Sequence, residues 1–171
     1  LAAKGDAVVE AMATETGATE MWARFNVMLA ASMLREAAAL TTQIAGEVIP
    51  SDKPGCVSMG LREPAGVVLG IAPWNAPVIL GVRALATPLA CGNGVVFKAS
   101  ELCPRTHALI VEALEEAGLP AGLVSFVTNA PDDAAEIVGA LAYLTIPALV
   151  GPVVGPPLGG FITTYFEWRW I

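Results

Sequence analysis

The sequence has little histidine, little positive charge and no cysteine pattern, and each shortage closes off a class of function. A single histidine, His107, and three cysteines with no C-x-x-C spacing leave no ligand set for a zinc site. An odd number of thiols also argues against a disulfide framework, so Cys56, Cys91 and Cys103 read as reduced cysteines in a cytoplasmic setting. Nine Lys and Arg against 16 Asp and Glu give a net charge of −7, the wrong sign for a nucleic-acid surface. No basic segment followed by an apolar core opens the chain, so no signal peptide is visible, and Leu1 in place of Met suggests that the true N-terminus is missing.

The sharpest shortage is local. From Ile137 through Phe166 there is no Asp, Glu, Lys, Arg or His, and mean hydropathy over the chain reaches +0.64. Such a run is too long for a buried strand and exceeds the ~20 residues that cross a bilayer. Its glycines and prolines would damage a soluble helix but are tolerated in a membrane one. Gly151, Gly155 and Gly159, four apart, would let a neighbouring helix approach closely. Tyr165-Phe166-Glu167-Trp168-Arg169-Trp170 has the aromatic and charged make-up of a membrane interface. The expectation for residues 141–171 is an apolar, membrane-like helical tail; the alternative is a buried, Gly/Pro-rich soluble loop.

Ahead of that run the chain alternates helices and strands. Asp6–Met12 is a short helix candidate, broken at Glu15-Thr16-Gly17. Thr19 is placed to cap a long helix in which Trp22, Phe25, Met28, Leu29, Met33 and Leu34 form an apolar face, expected to pack on a sheet. That helix could run to Ala45, with Gly46 as its stop. Ile49–Gly55 is punctuated as a loop, and Cys56–Leu61 alternates as a half-exposed strand does.

The centre of the organisation is Arg62–Glu101. Two apolar runs, Gly66–Ile71 and Gly94–Phe97, read as strands buried on both faces, and Ala76–Cys91 between them has helical length. Strand, crossover helix and strand make a βαβ unit, whose ligands sit beyond the carboxyl ends of the strands. Both runs end in polar clusters there, Pro73-Trp74-Asn75 and Lys98-Ala99-Ser100-Glu101. Pro104 then opens a helix with Leu109, Ile110, Ala113 and Leu114 inward, Glu112, Glu115 and Glu116 outward, and Gly118 as its end. Leu123–Val127 is a third strand, and Asn129–Asp133 sets up a further helix over Ala134–Ala140. This alternation predicts an α/β domain, a partial Rossmann-like parallel sheet with flanking helices.

Residues from about 6 to 140 resemble the aldehyde dehydrogenase superfamily, in particular its salicylaldehyde and vanillin dehydrogenase-like members. The resemblance is carried by Pro73-Trp74-Asn75, Gly92-Asn93, Lys98-Ala99-Ser100-Glu101, Glu116-Ala117-Gly118-Leu119-Pro120 and Gly122. Residues 141–171 separately resemble a segment of a drug/proton antiporter of the major facilitator superfamily, through Gly151–Gly160 and Trp168-Arg169-Trp170-Ile171. The two resemblances imply two domains, a truncated coenzyme-binding part over 1–140 and a transporter-like segment over 141–171.

The first resemblance implies NAD-dependent oxidation of an aromatic aldehyde to its acid. In that family a cysteine thiolate attacks the carbonyl, hydride passes to NAD(P)+, and water hydrolyses the thioester. Asn75 matches the family's oxyanion donor, a role worth on the order of 3 kcal/mol in the transition state; capping the following helix is its alternative role. Lys98 and Glu101 match the binders of the adenosine ribose, and a carboxylate there favours NAD over NADP; an exposed ion pair is the alternative. Ser100 could add a hydroxyl. Trp74 and the backbone at Ile71 and Ala72 match the nicotinamide side, with core packing the alternative for Trp74.

The family's Gly-rich phosphate turn, general-base glutamate and nucleophilic cysteine all lie downstream of the resemblance. Cys56, Cys91 and Cys103 match none of them, and His107 reads as solvent-facing. The expected state is therefore a truncated, inactive fragment that inherits an aldehyde as substrate and homo-oligomers as its family's assembly. Membrane association is expected only through the tail. The competing readings are a fusion artefact without activity and, least favoured, a membrane transporter, because one segment cannot form an alternating-access path.

Overall fold

The computed structural model describes residues 1–130 together with 133, 135, 136 and 139, and Leu1–Asn129 forms one compact unit. After a 3₁₀ turn at Ala2–Lys4 comes helix α1 (Gly5–Thr16), longer at both ends than its apolar pattern indicated and stopped by Gly17 at φ 67°. Helix α2 (Glu20–Leu40) is capped by Thr19, whose hydroxyl accepts from the Trp22 N–H at 3.3 Å. It stops short of Ala45, running into a 3₁₀ turn at Thr41–Gln43. Strand β1 (Glu47–Ile49), not expected from the sequence, pairs antiparallel with β2 (Ser58–Gly60) in a small exposed ribbon.

The main sheet is three parallel strands in the order β3 (Val67–Ile71), β4 (Gly94–Lys98), β5 (Val124–Val127). Helix α3 (Pro77–Ala90) connects β3 to β4 and helix α4 (Pro104–Glu116) connects β4 to β5, each with proline in its first turn. The α/β expectation holds. β3 differs from its expectation: Val67 and Ile71 are both 53% exposed, because among the described residues β3 is an edge strand. β4, the central strand, fully buries Phe97. Burying a side chain of that size is worth about 2–3 kcal/mol.

Helices α3 and α4 pack on the sheet, and α1 and α2 pack on those helices. Met12, Val27, Val82, Phe97 and Ile110 therefore belong to one core. The face of α2 expected to be inward is largely outward. Trp22 and Phe25 stack on each other, ring centroids 5.6 Å apart, on the exposed side. Ala23, Asn26, Val27, Ala30 and Ala37 face inward instead. The reason is the neighbour: α2 lies on helix α3, not on a sheet, and close helix contact favours small side chains. Both stripes repeat every three to four residues, so spacing alone did not decide between them.

No helix among the described residues is long and apolar enough to cross a membrane. The expected tail at 141–171 and the helix over 134–140 lie outside the described residues, apart from positions 135, 136 and 139.

Candidate active site

Two polar segments leave the carboxyl edge of the sheet side by side. β3 ends at Ile71 and β4 at Lys98, and these two are register partners. The ladder extends one step, with the Ala72 N–H donating to Lys98 O at 3.1 Å. Pro73-Trp74-Asn75 therefore emerges beside Ala99-Ser100-Glu101, at the edge where open parallel sheets bind ligands.

The arm after β4 is internally bonded. Lys98 is largely buried, and its Nζ donates to Glu101 Oε2 at 3.2 Å. A hydrogen bond to its own backbone, and then the Lys98 ammonium, hold the Glu101 carboxyl below the usual range. At neutral pH Glu101 is thus a carboxylate, an acceptor for a hydroxyl and repulsive to a phosphate. Ser100 is tied into the turn. It is buried, and its Oγ accepts from the Leu102 N–H at 3.2 Å, so the hydroxyl builds the turn instead of facing outward.

The arm after β3 is bonded through its backbone only. Ala76 is the N-cap residue of α3 and supplies no side-chain cap. A cap comes from across the fold, where Asn26 Oδ1 on α2 accepts from the Ile79 N–H at 3.4 Å. The helix-capping alternative for Asn75 is therefore not realised; its side chain is exposed and, among the described residues, without a partner. Trp74 and Ile71 are about equally exposed, so Trp74 is not a core residue among the described positions.

His107 is not solvent-facing: it is completely buried. Its Nδ1 accepts from the Ser100 N–H and its Nε2 donates to Pro77 O, both at 3.1 Å. A backbone N–H can only donate and a carbonyl only accept, which fixes the neutral tautomer with hydrogen on Nε2. Burial pushes its pKa down to about 4. The sequence did carry a signal, since His107 falls three residues before Ile110 and four after Cys103 on the buried stripe of α4. Gly81 gives the ring room: a Cβ there would meet Ile110 Cδ1 at 2.7 Å and His107 Cδ2 at 3.2 Å.

Cys103 Sγ lies 3.9 Å from His107 Nδ1, but that nitrogen already accepts from Ser100, and burial pushes the thiol up to about 11. This is not an activated thiolate pair. Cys56 and Cys91 are exposed and reduced. Glu15, unremarked in the sequence, caps α4 from α1, taking the Arg105 and Thr106 N–H groups at 2.8 Å each. Asn93 ties the start of β3 to the end of α3, its Oδ1 accepting from the Gly66 N–H and its Nδ2 donating to Pro88 O, both at 3.0 Å.

A profile described as the aldehyde dehydrogenase family matches residues 1–143. The chain belongs to that family. It is 63% identical over 138 residues to a vanillin dehydrogenase of Pseudomonas fluorescens, covering 81% of this chain and 28% of the relative. The solved structure of a salicylaldehyde dehydrogenase from Pseudomonas putida G7, in complex with salicylaldehyde, is similar with a TM-score of 0.78 and 52% identity. That likeness covers 81% of this chain and 29% of the other. An NAD-dependent benzaldehyde dehydrogenase from Corynebacterium glutamicum superposes with a TM-score of 0.73 at 35% identity, over 75% of this chain and 28% of the other. This aldehyde dehydrogenase chain thus spans little more than a quarter of the length of these relatives. None of them gives support to the antiporter resemblance proposed for 141–171.

Proposed function

We propose that this chain supplies one wall of an NAD-dependent site that oxidises an aromatic aldehyde to the acid. Asn75 is the oxyanion donor, and Lys98 with Glu101 binds the adenosine ribose. The observation that carries this is the register of Ile71 opposite Lys98, which brings both arms to one carboxyl edge.

The residues suit the coenzyme. The Lys98 ammonium can donate to ribose hydroxyls, the ionised Glu101 can accept from the 2′-OH, and the exposed Trp74 and Ile71 offer an apolar surface on the nicotinamide side. NAD would accept the hydride. This chain's part is to hold the coenzyme's ribose and to donate a hydrogen bond to charge developing on the aldehyde oxygen. Ser100 contributes turn geometry, and Ala72 the backbone step that joins the arms. The nucleophile and base belong to the wall this stretch does not contain, so the chain alone is inactive. Homo-oligomeric assembly and a cytoplasmic location belong to the same proposal.

The test is titration of the 171-residue chain with NAD and NADP. NAD is expected to bind weakly, with Kd about 1 mM, shifting the backbone amides of residues 98–101, and NADP more weakly still. Lys98→Met should abolish those shifts. Micromolar affinity by calorimetry, or shifts that survive Lys98→Met, would count against the reading. A second reading, a fusion carrying a transporter-like and membrane-associating segment, rests on the uncharged run from Ile137 to Phe166. Sequencing one transcript across Ala140 and Leu141 decides it.

A further inference from the structure

We propose that His107 is a positioning residue that sets the spacing between the oxyanion arm and the coenzyme arm. This rests on the roles just assigned to Asn75 and to Lys98 with Glu101. The ring binds one backbone group on each arm. Pro77, whose carbonyl it takes, lies two residues after Asn75, and Ser100, whose N–H it accepts, lies between Lys98 and Glu101. Backbone partners cannot rotate away as side chains can. The gap between the arms is thus fixed at the width of one imidazole and two hydrogen bonds.

The ring itself is held. Phe97 packs against it edge to face, with centroids 5.5 Å apart and planes at 72°, and on the α3 side it lies so near Gly81 that a Cβ there would come within 3.2 Å of Cδ2. Space filling alone would be served by an apolar side chain, without two matched polar contacts in a dry interior. Asn26 is the contrast. It is equally buried and grips the same helix at Ile79, yet it touches only the oxyanion side. Of the two, only His107 touches both.

The test uses the 15N-labelled, 171-residue chain and two substitutions that each keep half of the bridge. In His107→Asn, the side-chain oxygen sits near the place of Nδ1 and can still accept from Ser100. In His107→Gln, the longer amide reaches the place of Nε2 and can still donate to Pro77. Wild type should show the neutral Nε2–H tautomer at pH 7 and a 15N–15N coupling across the Ser100 hydrogen bond. His107→Asn should displace the amides of residues 74–80 and leave 98–101 near their wild-type positions. His107→Gln should do the reverse and weaken NAD about tenfold, as loss of one well-formed hydrogen bond would. Asn26→Ala should resemble His107→Asn.

Absence of the coupling in wild type, matching patterns in the two His107 variants, or loss of fold in both would overturn the proposal and leave His107 a core residue. If NAD moves nothing at 98–101 in wild type, the functional reading falls instead, while the opposed amide patterns still decide whether His107 joins the arms.

Discussion

Lys98–Glu101 and Trp74–Asn75 leave the same sheet edge, yet only the first makes side-chain bonds of its own. The difference fits the roles proposed for each. A ribose-binding pair works best when already in place, because ordering it on binding would cost affinity. An oxyanion donor must gain strength as charge develops, and one already satisfied in the resting protein would have to break a bond first. The bare amide of Asn75 suits that need, and α3 takes a cap from Asn26 instead.

Substitutions can break this contrast, beginning where both arms are joined. His107→Leu leaves the Ser100 N–H and the Pro77 carbonyl buried without partners and should destabilise the chain by about 3 kcal/mol in urea unfolding, with amide changes on both arms. Acid should act at the same residue. The folded pKa of His107, near 4, lies below the unfolded value of 6.5, chiefly through burial, with Glu15 and Lys98 pulling in opposite directions. The unfolded state then binds the extra proton, so stability is full above pH ~6.5 and falls as pH drops towards 4. Between pH 7 and 5 the loss should be about 2 kcal/mol, and His107→Gln should flatten that segment of the profile.

Glu15→Ala tests a different case, a strong contact that bonds neither arm but the two residues before His107. It removes the acceptor for two amides at the start of α4 and should cost about 1–2 kcal/mol without altering NAD-induced shifts. Smallest is Asn75→Ala. With no bond to lose, it should change stability by less than ~0.5 kcal/mol and leave NAD binding as in wild type. If it destabilises the chain clearly, Asn75 has a structural partner and the contrast between the arms fails.

Much of this was legible in the sequence for definite reasons. The βαβ unit, the bounds of α3 and α4 and the placing of both polar clusters followed from apolar runs with proline and glycine at their ends. The inward face of α2 did not, because Ala23, Val27 and Ala30 repeat with the same period as the larger Trp22, Phe25 and Leu29. His107 departs from its expectation because a polar residue on a helix ordinarily faces solvent, whereas its position lies on the buried stripe. Asn26 and Glu15 could not be found at all. Their partners lie 53 and about 90 residues away, and nothing local marks them. The bond that Ser100 makes within its turn was hidden for a similar reason, since its donor, the Leu102 N–H, becomes a neighbour only once the turn has formed.

Gly81 has a consequence for variation. In the interior of a helix, alanine in place of glycine ordinarily adds about 1 kcal/mol of stability, so drift and consensus engineering both favour the exchange. Here that gain is offset, because an added methyl would meet Ile110 Cδ1 at 2.7 Å, which a side-chain rotation can relieve, and His107 Cδ2 at 3.2 Å, on a ring held at both nitrogens. The pressure would fall on the imidazole, whose nitrogens bond Ser100 and Pro77. Position 81 is thus a place where a mutation that looks conservative could detune the site while leaving every proposed site residue intact.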